Sequence, residues 1–201
     1  NYSKNNTYLE TESKTKRNLV EIFSKKNKPP LLVDLGCNTG EYSIAALKSG
    51  TKYVIGYDCD INAIELAFIR SKKENLPFLP LFLDATNPSP SQGWYQKERI
   101  GFKERNKADA VIALAFEHHL TIGNNIPMDK VISWITSIAN KGLIEFVPKN
   151  DPTITRMLSV REDIFHDYTE EKFVYYLSEQ AKIQNATIIS ESGRKLFEFS
   201  I

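Results

Sequence analysis

The run Leu31 to Ser43, LLVDLGCNTGEYS, limits what this chain can fold into more than any other stretch. An apolar segment enters the glycine loop Gly36-Cys37-Asn38-Thr39-Gly40, and a helical pattern starts directly after it. The order is strand, tight loop, helix. In an open α/β sheet such a loop sits at the carboxyl end of the first strand, where ligands bind at the topological switch point. Gly36 and Gly40 allow the backbone to turn sharply and to approach a ligand without a Cβ in the way.

Two cofactor classes use a loop of this kind, and glycine spacing separates them. A dinucleotide needs glycines at the first, third and sixth positions, so that pyrophosphate can rest on a helix N-terminus. Counted from Gly36, these positions hold Gly36, Asn38 and Glu41. Only the first fits, and Glu41 sets a carboxylate where the anionic pyrophosphate would dock. A ligand without phosphates suits the loop better. S-adenosylmethionine (SAM) carries a sulfonium and an ammonium, which acids on the strand and loop complement.

Asp34-Leu35-Gly36-Cys37-Asn38-Thr39-Gly40 resembles motif I of the class I SAM-dependent methyltransferases, with Asn38 in place of the commoner middle glycine. VDLGCNTGEYS, NPSPSQGW, HHLTIGNN, IEFVPKNDP and REDIFHDYTEE (apart from His166, where proline is usual) resemble a nodulation-protein-like branch of that superfamily. With their spacing these stretches cover nearly the whole chain. The resemblance implies an α/β, Rossmann-like class I methyltransferase fold: a seven-stranded, mostly parallel sheet with a terminal antiparallel hairpin strand and helices on both faces. It also implies that SAM contacts fall on Asp34, Gly36, Cys37, Asn38, Thr39, Gly40, Asp58, Cys59, Asp84, Ala85 and Ala115. No substrate is implied with them.

A length of 201 residues suits one domain, and 41% hydrophobic with 25% charged residues is ordinary for a soluble globular protein. The net charge of +1 supplies no field for steering nucleic acid or membrane. No apolar stretch approaches the roughly 18 residues needed to span a bilayer. Two cysteines without metal-ligand spacing suit a reducing, cytoplasmic setting, and no metal site is expected. Cys37 and Cys59 would end neighbouring strands, either as two small buried thiols or in redox contact. The start, Asn-Tyr-Ser-Lys-Asn-Asn, is neither a signal peptide nor an initiator sequence. The expected organisation is an N-terminal arm and helix over 1–28 and a SAM-binding domain over 29–201, within a larger protein.

In chain order, Asn1 to Thr11 reads as a polar arm and Glu12 to Ser24 as an amphipathic helix, broken by Lys25 to Pro30. The lysines there suit a solvated helix end or an anionic substrate. Tyr42 to Leu47 is helical up to the stop at Ser49-Gly50. The second strand, Tyr53 to Tyr57, ends in Asp58-Cys59-Asp60. A carboxylate at that point can accept from both hydroxyls of a ribose, and Asp58 lies about 20 residues beyond the loop, as α/β geometry requires. Its alternative role is helix N-cap, which Asp60 or Asn62 could fill equally well. Ile61 to Glu74 is expected as a helix with Ile61, Ile64, Leu66, Phe68 and Ile69 inward. Strand three, Leu79 to Leu83, ends in Asp84-Ala85, where the resemblance puts an acceptor for the adenine amine and a plain turn aspartate is the rival.

Thr86 to Lys107 interrupts the alternation with Asn87-Pro88-Ser89-Pro90, Trp94, Tyr95 and Phe102. Such an insertion lines a pocket or docks a neighbouring region, including an N-terminal region of a larger chain. Asp109 to Ala115 reads as a strand buried on both faces, delivering Phe116, Glu117, His118 and His119. No Asn-Pro-Pro-aromatic element and no cysteine follow it, which disfavours amino-methylating nucleic-acid enzymes and cytosine C5 chemistry. Ile122 to Pro127 is expected as a loop, Met128 to Ala139 as a helix and Leu143 to Val147 as strand five. Lys149, Asp151 and Arg156 then fall in a site-facing loop. A helix opened by Thr169 and two strands, Ala186 to Ser190 and Lys195 to Ile201, complete the chain.

These readings converge on SAM-dependent methyl transfer to an unidentified acceptor, a small molecule among the options. The sulfonium is already a good leaving group, so the protein mainly positions the acceptor and takes its proton. His119 or His118 is the candidate base, with Glu145 on strand five as orienting acid. Glu117 departs from the resembled pattern and receives no role. The alternatives are packing roles for both histidines, a non-catalytic SAM-binding module, and a nicotinamide-dependent oxidoreductase.

Overall fold

β1 (Leu31–Leu35) is buried over Leu32 to Leu35, because it pairs in parallel on both edges and is covered on both faces. The computed structural model describes residues 10–105 and 107–201. With β2 (Tyr53–Asp58), β3 (Phe78–Phe82), β4 (Ala110–Ala113), β5 (Lys141–Phe146), β6 (Lys182–Ile188) and β7 (Lys195–Ser200), it forms a seven-stranded sheet in the order β3-β2-β1-β4-β5-β7-β6. β7 runs antiparallel to both β5 and β6. The order reverses between β1 and β4, so the loop after β1 opens at the switch point.

On one face Val20 and Phe23 of α1 (Glu10–Asn27), Ile44 and Ala45 of α2 (Glu41–Lys48) and Ala67 of α3 (Ile61–Lys73) pack over Leu32, Val54 and Ile112. On the other, α5 (Glu117–Asn124), α6 (Met128–Thr136) and α8 (Glu170–Gln180) bring Leu120, Ile132, Phe173 and Leu177 against Val33, Val111, Ile144 and Phe197. The expected fold class is the observed one. α1 runs three residues past Ser24 and includes Glu10 and Thr11. The polar arm expected ahead of it, residues 1–9, lies outside the described residues.

Several local expectations give way to tertiary context. α3 buries Ala63, Ala67 and Ser71, whereas Ile61, Leu66, Phe68 and Ile69 are exposed. A small-residue stripe lets this helix lie close to the sheet, and near the sheet edge no second layer among the described residues covers its larger side chains. Pro80 in β3 agrees with that edge position, since proline donates nothing to a ladder. Ile122 to Asn124 belong to α5 rather than to a loop, and α7 (Pro152–Leu158) occupies the supposed loop after β5. Asp151 caps α7 with Pro152 at its first turn, a start signal the sequence carries. Between β3 and β4 the described residues form a 3-10 turn, Trp94–Gln96, and the short α4 (Phe102–Arg105), with no long helix among them.

The inversion of α3 gives a direct test by chemical denaturation. Ala67→Leu should destabilise the protein by about 1–3 kcal/mol through overpacking. Leu66→Lys should shift stability by no more than about 0.5 kcal/mol, as a surface change does. The reverse ranking would contradict the observed face.

Candidate active site

The loop after β1 is built from left-handed residues. Gly36, Asn38 and Gly40 have φ of 74°, 48° and 83°. Asn38 tolerates the middle position because asparagine visits this region more readily than other non-glycine residues, and its Oδ1 accepts from Thr39 N at 2.8 Å. The amides of Gly36 and Cys37 both donate to Tyr57 O, at 2.8 and 3.0 Å, which ties the loop to the end of β2. A Cβ on Gly36 would lie 3.0 Å from the Phe116 ring, and one on Gly40 would overlap Phe78. Both glycines are therefore fixed by packing as well as by backbone angle.

Asp58 reaches across this loop. Its Oδ2 accepts from Asn38 N and its Oδ1 from Asp60 N, each at 2.9 Å. Asp60, not Asp58, caps α3. Asp34 points beneath the loop: buried, it accepts from Ser43 Oγ at 2.6 Å, and burial raises its carboxyl to about 7. Asp84 is exposed, and its Oδ1 takes both Thr86 N and Thr86 Oγ, bonds that hold its pKa below the usual carboxylate value. The turn role is thus real, and Oδ2 stays open at the strand end. Ala85 packs at the edge of the core. Cys37 is buried and Cys59 exposed, and both are free thiols, so the picture of two buried thiols holds only for Cys37. Burial, then the nearby acids, pushes both thiols upward.

At the exit of β4 the structure separates residues that the sequence groups together. Ala115 is left-handed, with φ of 48°, and donates to Glu145 Oε2 at 2.9 Å. Glu145 meets Lys16 at 2.8 Å and Arg194 at 3.4 Å, and no hydrogen bond joins it to either histidine among the described residues. His118 is buried with Nδ1 unpartnered, and its pKa is driven well down by burial, then by His119 and Arg194. His119 is exposed and stacks on His118 at 4.3 Å between centroids. Its pKa is lowered by desolvation, with the Asp58 charge opposing.

Glu117, given no role from sequence, is fully buried. Thr121 donates to its Oε1 at 2.6 Å, while Tyr168 Oη lies 3.0 Å from its Oε2 and 2.9 Å from Val147 O. The hydroxyl has one proton for two acceptors. Glu117 in its acid form resolves this by donating to Tyr168 Oη while Tyr168 donates to Val147 O. Burial, the largest cause, raises the Glu117 carboxyl to about 7, which favours that form.

The segment before β4 divides in two. Trp94 and Tyr95 are 82% and 77% exposed on a small hairpin closed by the Gln92–Arg99 bridge. Phe102 is buried, edge-on to Tyr57 at 5.4 Å and stacked on Trp134 at 5.8 Å, so it is core and not docking surface. Lys149 pairs with Asp163, and Arg161 donates to Ile122 O, which fastens the segment after α7 to α5. Lys16 and Arg194 are the site-side residues that sequence reasoning missed. A lysine in an amphipathic helix and an arginine in a Glu-Ser-Gly-Arg turn both read as solvent-facing.

The family model for ribosomal protein L11 methyltransferase (PrmA) matches residues 13–90. Magnesium protoporphyrin IX methyltransferase from Synechocystis PCC 6803, solved with bound SAH, superposes with a TM-score of 0.65 at 18% identity, over 94% of this chain and 82% of that one. The [4+2]-cyclase SpnF superposes at 0.61 and 15% identity, over 89% and 60%. Together with the loop and sheet order, these findings give the chain the fold of the class I SAM-dependent methyltransferases. By sequence it is similar to the nodulation protein NoeA of Rhizobium meliloti (strain 1021), at 52% identity over 198 residues. The match covers 98% of this chain and 42% of NoeA, so the chain spans less than half the length of that relative. No helix among the described residues is long and apolar enough to cross a membrane.

The Glu117 geometry yields a pH test. A carboxyl near 4.5 when unfolded and about 7 when folded binds its proton more tightly in the native state, so stability falls as pH rises between those values. Glu117→Gln removes this titration. Relative to the variant, the wild type should lose about 3 kcal/mol of unfolding free energy between pH 4.5 and pH 8. A pH-independent difference between the two proteins would show that folding does not raise the Glu117 pKa.

Proposed function

We propose that this chain binds SAM across the Gly36–Gly40 loop and transfers its methyl group to an acceptor that reaches His119. The observation that carries the reading is the left-handed loop with the Asp58 carboxylate lying across it. The donor set fits the cofactor. Each Asp58 oxygen has used one backbone N–H and keeps a lone pair for a ribose hydroxyl, and Asp84 Oδ2 is open to an amine. Gly36 and Gly40 hold the loop in its left-handed turns, with Phe116 and Phe78 packed where a Cβ would stand. Cys37, Asn38 and Thr39 are held in the cradle by amides that donate to Tyr57 O, Asp58 Oδ2 and Asn38 Oδ1, Cys59 and Ala85 follow the two acids in sequence, and Ala115 is proposed as the wall on the β4 side. Asp34 acts one layer below by bracing Ser43 of α2.

Bound SAM supplies a methyl group already activated by its sulfonium. The chain then has to hold the acceptor, exclude water and receive one proton. His119 is the group for that proton, since its lowered pKa leaves a ring nitrogen free at neutral pH. His118 is kept neutral by burial and supports the His119 ring through their stacking. The acceptor is proposed to be a small molecule. A second reading, SAM binding without methyl transfer, is supported by the interior positions of Glu117 and His118, which leave His119 as the exposed titratable group of the β4 exit, and by the likeness to a cyclase.

Isothermal titration should show SAM binding and no NAD binding. Asp58→Ala should weaken SAM by about 1–3 kcal/mol, the range for lost charged hydrogen bonds. Unchanged affinity would reject the clamp. With an acceptor in hand, His119→Ala should lower kcat and remove an acidic limb that falls below the ordinary imidazole value. Full turnover of this variant across neutral pH would eliminate a histidine base.

A further inference from the structure

Buried charges from four segments meet at the carboxyl end of β5. Lys16 comes from α1, Glu145 from β5, Asp151 from the start of α7 and Arg194 from the turn before β7, and each is at most 2% exposed. Glu145 Oε1 lies 2.8 Å from Lys16 Nζ, and its Oε2 accepts from Ala115 N at 2.9 Å. Arg194 spends Nε and Nη2 on both oxygens of Asp151, at 2.6 and 2.7 Å, and reaches Glu145 only at 3.4 Å. Glu12, one turn before Lys16, stands 3.4 Å from its ammonium.

A buried ion pair is a weak source of stability, because desolvation offsets most of the attraction. Lys16 on a helix face that otherwise buries Val20 and Phe23 therefore needs another account. Ala115 supplies it. An alanine at φ of 48° persists only where its surroundings over-determine it, and Glu145 is the acceptor that holds its N–H. An ionised acceptor makes that bond about twice as strong as a neutral one. In a dry site it stays ionised only with a cation beside it. Phe116, the next residue, lies against Gly36, so a shift of the Ala115 turn reaches the glycine loop directly.

We propose that Lys16 is a positioning residue for the cofactor site: by matching the charge of Glu145 it fixes the Ala115 turn, which makes α1 a working part of the site. The inference rests on the reading of that turn as one wall of the SAM site. Arg194 is the weaker partner of Glu145: Nε and Nη2 go to Asp151, and Nη1 donates to Glu145 Oε1 at 3.4 Å against 2.8 Å for Lys16.

The test measures amide hydrogen exchange at Ala115 in cofactor-free protein and SAM affinity by titration calorimetry. The variants are Lys16→Met, Glu145→Gln and the two combined. Lys16→Met should speed Ala115 exchange and weaken SAM binding, each by about tenfold or more, with exchange in β1 and α6 unchanged. In the double variant a neutral amide oxygen accepts from Ala115 without needing a cation, so it should behave like Glu145→Gln alone. Wild-type exchange at Ala115 in folded Lys16→Met overturns the proposal. So does a double variant about tenfold worse than Glu145→Gln, because Lys16 would then act through something other than the Glu145 charge. If Lys16→Met does not fold, the second comparison decides alone. Failure of SAM to bind the wild type would sink the cofactor reading, while the exchange measurement, which needs no cofactor, still judges Lys16.

Discussion

The Asp58 carboxylate accepts from the Asn38 amide in the loop after β1 and from the Asp60 amide ahead of α3, so one side chain clamps two strand exits. Tyr57 O adds a second tie by accepting from both Gly36 and Cys37. The left-handed turns at Gly36, Asn38 and Gly40 make these bonds geometrically possible, since they turn successive amides towards β2. Phe116 and Phe78 then fill the space where side chains on the glycines would stand. The rest of the site is hung on this junction.

Charge is arranged around it in two layers. Beneath the surface, Asp34 and Glu117 are pushed up by burial towards their acid forms, whereas Asp151 is held well below the usual carboxylate range by its bonds to Arg194, Ser192 and Thr153 N, against the burial that alone would raise it. Nearer the surface, each Asp58 oxygen accepts one backbone N–H, and both bonds to Asp84 fall on Oδ1. The interior groups thus hold the strand exits in place, and the outer groups are the ones proposed to meet ligands.

Much of this was legible in local sequence. The strand-loop-helix order around Gly36, the acid ending β2 and the buried run of β4 each carry their signal within a few residues. The terminal hairpin was legible for the same reason. Elements near the sheet edge were not: the large apolar residues of α3 suggest a buried stripe, yet Ala63 and Ala67 are what the close packing accepts. The β4 exit was half legible. His118 and His119 are adjacent in sequence, but helix geometry sends one inward and one outward. The Lys16–Glu145–Arg194 meeting joins residues 129 and 49 positions apart, and a period or spacing does not encode such a contact. Glu145 reads from sequence as an orienting acid, and its partners Lys16 and Arg194 were what the sequence withheld.

The central claim is that the junction of the glycine loop with Asp58 is a SAM site and not a nucleotide-phosphate site. Backbone NMR titration with S-adenosylhomocysteine tests it most directly. The account predicts saturable shifts at Asn38, Thr39, Gly40, Cys59, Ala85 and Ala115, with β6 and α8 unmoved and with NAD producing none of these changes. Shifts at the same amides from NAD, and none from S-adenosylhomocysteine, would contradict it.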